Sequence, residues 1–238
     1  GNVVVVLAGA VDITRDLGLL AAAYGGLPAS SAPIPARAPV AAIVATRRDV
    51  TVDLATDRLL VGWRAPAGDS VDQPALALLA ELLGNADSAR FDRALVDVGR
   101  IATGVDVDAI GLARAGTLEI RVVLRPGRRG EQALTALDAE ISALLGARPI
   151  TALELAAARN RMLMARYASL DGVDGRAEVV GAAAVTFGDP RIAETWWRGL
   201  LAVNLDDVQR VAHTVFGAAQ RVVVVGSARV TRRRLRPK

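Results

Sequence analysis

Two runs of four consecutive valines, Val3–Val6 and Val222–Val225, limit the folding of this chain more than any other feature. Four β-branched side chains in a row favour an extended strand. A strand that is apolar on both sides needs hydrogen-bonded neighbours at its edges and cover on its faces. Each run is followed by a glycine, a threonine–arginine pair and a leucine: Gly9, Thr14, Arg15 and Leu17 after the first, and Gly226, Thr231, Arg232 and Leu235 after the second. The same strand ending is written twice, about one domain length apart.

After the first copy, Asp12 can cap a helix that carries Leu17, Leu20, Ala21 and Tyr24 at helical spacing and is stopped by Gly25 and Gly26. Residues 28–39, PASSAPIPARAP, then set four prolines among small side chains and read as a linker. Beyond it, DVTVDLATDRLLVGWRAP supplies a strand or two, and QPALALLAELLG a helix with Ser70 and Asp72 as caps. A short helix is expected from about Asp87 to Gly99, then two strands, TGVDVDAIGLA and GTLEIRVVLRP. The turn RPGRRG, whose three arginines could grip an anion but read as solvated, leads into the helix ending at Gly146.

The next helix is the best specified. Thr151 and Glu154 have capping-box spacing, with Ile150 and Leu155 at the staple positions. Helices around Asp174–Thr186, Arg191–Leu201 and Leu205–Phe216 follow, then the strand RVVVVG. This order predicts an α+β fold, an antiparallel-rich sheet with helices packed on one face.

Composition removes several functions. The net charge is +4, but of 29 basic residues six (Arg229, Arg232, Arg233, Arg234, Arg236 and Lys238) lie in the last ten positions, leaving 23 against 25 acids elsewhere. The basicity is a tail without an aromatic residue to stack a base, so no nucleic-acid partner is expected. No apolar run is long enough to span a bilayer, and bacterial cytoplasm and periplasm both remain open as locations. Cysteine is absent and His213 is the single histidine, placed by helical spacing with Asp206 and Arg210 on the polar side of its helix. A conventional zinc site needs several nitrogen, sulfur or carboxylate ligands, so none is expected here. Asp106 and Asp108 share one side of a strand and could be offered for carboxylate-only chemistry, but a solvated face is the simpler explanation.

The segments NVVVVLAGAVD…YGGLP, ALALLAELLG…DSARFDRALVDVG, PITALELAAARNRM and DDVQRVA, in that order, resemble the C-terminal part of pitrilysin/insulinase-type metallopeptidases, the group that includes the mitochondrial processing peptidase. The resemblance implies two homologous halves. Residues 1–27 would be the tail end of the first (a strand plus a helix), 28–39 the linker, 40–228 a non-catalytic second half and 229–238 a basic tail. Activity in such proteins rests on H-x-x-E-H, whose histidines bind zinc and whose glutamate activates water; this chain lacks the motif. The second half of the family usually adds an arginine and, seven residues on, a tyrosine, directed at the developing oxyanion. In LVDVGRIAT those positions fall on Val96 and Thr103, with Arg93 or Arg100 as possible replacements for the arginine.

The resemblance thus implies no catalytic residue, no metal and no cofactor in this chain. It implies instead a half that lines a peptide-binding chamber and pairs with a zinc-bearing half, as a homo- or heterodimer. The alternative it offers is an assembly role, like that of the core proteins of respiratory complex III.

Overall fold

The computed structural model describes residues 3–28, 40–86, 88–217 and 220–228. Its elements are α1 (Ile13–Tyr24), β1 (Thr46–Val52), β2 (Arg58–Ala65), α2 (Gln73–Leu83), a π-helix (Asp92–Val98), β3 (Ala102–Gly111), β4 (Gly116–Leu124), α3 (Gly130–Leu145), α4 (Ala152–Asp171), α5 (Val173–Phe187), α6 (Ile192–Ala202), α7 (Leu205–Gly217) and β5 (Arg221–Ala228). One five-stranded sheet has the order β1-β5-β2-β4-β3. Only the β1–β5 pair is parallel; the β2–β4, β2–β5 and β3–β4 pairs are antiparallel. The expected α+β fold is the observed one.

Alternation decides which face of the sheet is covered. Leu59, Val61, Trp63 and Ala65 of β2 are buried, as are Leu118, Ile120, Val122 and Leu124 of β4, with Val105 and Val107 of β3 and Val223 and Val225 of β5. They form one core with Leu76, Leu79 and Leu83 of α2, Leu137 and Leu144 of α3, Leu155 of α4, and Val208 and Val211 of α7. Fully burying a leucine contributes about 1.5–3 kcal/mol, so this single layer of helices holds the sheet. The intervening residues are half-buried or exposed, and that face carries no helix among the described residues.

The local signals for helix starts hold in detail. Thr151 Oγ1 accepts from the Glu154 amide at 3.3 Å, and Glu154 Oε2 accepts from the Thr151 amide at 2.8 Å. Ile150 and Leu155 are both buried. Asn204 and Asp207 repeat the reciprocal pattern before α7. Asp12 caps α1 through its bond from the Arg15 amide.

Other expectations are corrected. Val3–Val6 form no strand: among the described residues no neighbour is hydrogen-bonded to them, and no residue from Val3 to Pro28 is buried. The second valine run is a strand because β1 and β2 flank it. Asp72 stands at the start of α2 but makes no capping bond. Its carboxylate takes two bonds from Arg210, at 2.7 and 3.1 Å, while Ser70 Oγ accepts from the Asp72 amide. In the turn before α3, Arg125 and Arg128 donate to the carbonyls of Ala102 and Arg100 instead of facing solvent unpaired. The short helix is a π-helix starting at Asp92, and Asp87 lies outside the described residues. So do residues 29–39 of the linker and the basic tail 229–238.

Candidate functional site

The uncovered face of the sheet presents side chains from all five strands. Strand register aligns a row across it: Asp106 of β3, Arg121 of β4, Leu60 of β2, Val224 of β5 and Arg48 of β1. The next row runs Asp108, Glu119, Gly62, Val222 and Thr46. Leu60, Val123, Val222 and Val224 are half-buried without helical cover, so the middle of the face is an apolar trough. Gly62 deepens it by carrying no side chain.

The flanks are charged. On the β3–β4 side Arg121 pairs with Asp108 and, at 3.0 Å, with Glu119, which also accepts from Thr117 Oγ1. Burial alone would lower the pKa of Arg121; the two carboxylates outweigh it and raise it. The opposite flank carries Arg48, and Arg64 donates to the Ala41 carbonyl. An apolar strip two strands wide between polar borders suits an extended chain, whose alternate residues point the same way.

Asp106 and Asp108 do share this face, and the ion pair of Asp108 with Arg121 gives that carboxylate a structural task. His213 lies far from it, exposed on α7, with Nε2 3.4 Å from Gln209 Nε2. Among the described residues no group of three or more His, Cys, Asp or Glu side chains is placed to hold a metal ion. With one histidine and no cysteine in the whole chain, the residues present do not fit a zinc site.

Val96 and Thr103 sit beside the sheet on the π-helix and on β3. The π-helix is closed by Gly99 N donating to Ala94 O at 3.0 Å, five residues back. A methyl group at Gly99 would lie 2.5 Å from that same oxygen, so the wide turn depends on glycine. Wide turns of this kind recur at functional positions. Here the turn leaves Val96 half-buried against the core, and Thr103 exposed at the β3 bulge, its hydroxyl donating to Val123 O at 3.3 Å.

Val96 has no donor and the short Thr103 hydroxyl is engaged with Val123 O, so the pair does not reproduce the reach of an arginine and a tyrosine towards a developing oxyanion. Arg93 and Arg100 are exposed, and their side chains make no hydrogen bond or ion pair among the described residues. Arg93 lines an open depression with Ala94, Val98, Arg148 and Glu154. Arg100 has φ of 47°. The trough itself was missed from sequence, because Leu60 and Val224 become neighbours only through a pairing that spans most of the chain.

The sequence model of the peptidase M16 inactive domain matches residues 1–162. No curated protein matches. Among solved structures, a protease from Helicobacter pylori superposes with a TM-score of 0.83 at 21% identity, over 92% of this chain and 53% of that one. The peptidase M16 inactive domain from Pseudomonas fluorescens gives 0.78 at 16% identity, over 92% and 52%. An inactive peptidase domain from Bordetella parapertussis gives 0.67 at 26% identity, over 75% of this chain and 94% of that one. The chain therefore spans about half the length of the Helicobacter and Pseudomonas structures.

Proposed function

Since the chain belongs to the peptidase M16 inactive-domain family, we propose that it is the non-catalytic half of a zinc peptidase and that its open sheet face forms one wall of a peptide-holding chamber. The observation that carries the reading is the trough of Leu60, Val123, Val222 and Val224, left without helical cover in a sheet whose other face is sealed by the helices. Extended substrate would lie along these strands, with its apolar side chains against the trough and its backbone and charged groups against Arg121, Asp108 and Glu119. Zinc and the water-activating glutamate would come from a separate half bearing H-x-x-E-H. The contribution of this half is to hold and confine the peptide, which raises the rate by positioning rather than by proton transfer.

The wall can be tested by placing a photo-reactive amino acid at Leu60 and, as a control, at Thr214, which is exposed on α7. With a zinc-bearing half and an unstructured peptide present, Leu60 should cross-link peptide and Thr214 should not. Equal labelling from both positions, or none from Leu60, would transfer the case to an assembly role in which the face holds no substrate.

A further inference from the structure

A second cavity, of about 420 Å³, lies within the helical layer and away from the open sheet face. Its walls are Val179, Ala183 and Phe187 of α5, and Ile192, Trp196 and Trp197 of α6; its floor is the bare backbone of Gly68 and Gly111. A methyl at Gly68 would stand 2.6 Å from Phe187 Cζ, and one at Gly111 2.3 Å from Gln73 Nε2, so both positions are kept small by what surrounds the cavity. The buried Gln73 brings an amide to this floor, donating weakly to Pro66 O at 3.4 Å.

One cation faces into this mostly apolar space. Arg166 of α4 lines the cavity with its guanidinium carbon 4.8 Å from the centre of the Trp197 ring. Stacking on the indole occupies a face of the guanidinium, whereas its N–H donors lie in its plane. Among the described residues no hydrogen bond or ion pair reaches those donors. Partial burial lowers the pKa of Arg166 and Glu194 opposes the shift, and the group remains a cation at neutral pH.

We propose that this cavity binds an apolar carboxylate, with the carboxylate forked onto Arg166 and the hydrocarbon body against Trp196, Trp197 and Phe187. A single cation in an apolar setting matches a monoanion better than a phosphate dianion, and the volume suits a ligand of small-molecule size. Two sources share this chemistry, the C-terminal residue of a short peptide and a free fatty acid. The proposal is independent of the chamber reading, because the cavity uses neither the trough nor its ion pairs.

Trp196 and Trp197 are two of the three tryptophans, so ligand entry is read by intrinsic fluorescence. Titrating the full chain with N-acetyl-Phe-Leu and with decanoate should give saturable quenching by at least one of them, and the amide of the active compound should bind at least tenfold more weakly. Arg166→Gln should weaken binding tenfold or more, with partial recovery in Arg166→Lys. Ala193→Leu, which fills the cavity from α6, should abolish it with an unchanged circular dichroism spectrum. Decanoate binding alone assigns the fatty-acid source and N-acetyl-Phe-Leu alone the peptide source. Failure of both to bind at millimolar concentration, or binding indifferent to amidation and to Arg166→Gln, overturns the proposal.

Discussion

Arg90 and Glu154, 64 positions apart in sequence, form a two-point ion pair, with Nε to Oε1 at 2.8 Å and Nη2 to Oε2 at 2.9 Å. Two further donors of Arg90 bind the carbonyls of Arg148 and Pro149. Glu154 also closes the capping box with Thr151. One carboxylate thus starts α4 and ties it to the segment leading into the π-helix, where Val96 lies.

The pair makes stability depend on acid pH. Burial pushes the Glu154 carboxyl upward, but hydrogen bonds from Arg90 and Thr151 outweigh it and bring its pKa down to about 2. A carboxylate in the unfolded chain titrates near pH 4.3. The stabilisation is therefore complete above about pH 4.3 and is lost as pH falls towards 2. Glu154→Gln should cost roughly 1–2 kcal/mol at pH 7, because the cap can persist while the charged bond to a partly buried arginine is lost. Urea unfolding between pH 7 and pH 2.5 checks this: the gap between wild type and variant should narrow at the acid end, and a constant gap would contradict it.

The β3–β4 connection is expected to tolerate no side chain at Gly116. A methyl there would stand 2.2 Å from Pro66 O and 2.7 Å from Ile110 O, both backbone atoms that cannot swing away. Gly116→Ala should destabilise by about 1–3 kcal/mol, read as a lower urea midpoint at unchanged slope. A shift within error would show that the strand ends move freely.

Metal content is the next prediction. Dialysed protein should carry no stoichiometric zinc, and His213→Ala should leave its metal content unchanged, since His213 is exposed and has no metal-ligating cluster around it among the described residues. One zinc per chain held at submicromolar affinity would contradict the assignment of zinc to a partner.

Reinstating the missing pair should act on turnover. In the presence of a zinc-bearing half, Val96→Arg with Thr103→Tyr should raise kcat more than it lowers KM, because an oxyanion contact strengthens mainly in the transition state. Val96 is half-buried against the core, so the arginine should cost about 1–3 kcal/mol of stability. An effect on KM alone would mean that the two positions touch ground-state substrate only.

What was legible in the sequence was local or strongly patterned. The capping box of Thr151 and Glu154, the alternation through Leu118, Ile120 and Val122, and the valines of β5 needed no distant information. The strand expected at Val3–Val6 did, because four valines form a strand only when a neighbour pairs with them. The π-helix was equally hidden: residues 92–98 have ordinary helical spacing, and the wide turn depends on Gly99 meeting Ala94 O. The antiparallel β2–β5 pairing joins Leu60 to Val224 across most of the chain, and the apolar trough follows from it. Arg166 passed unnoticed as one more arginine in α4; the adjacent Trp196 and Trp197, in a chain of three tryptophans, were the available signal.

Reconstitution tests the central claim most directly. An H-x-x-E-H half from the same organism should be assayed with an internally quenched peptide, alone and with increasing amounts of this chain. Hydrolysis should be negligible for either component, rise saturably to a defined stoichiometry on mixing, and fall at least tenfold when Leu60→Asp places a charge in the trough of an otherwise folded chain. Full hydrolysis by the zinc-bearing half alone, or a mixture whose activity is unchanged by Leu60→Asp, would contradict the account.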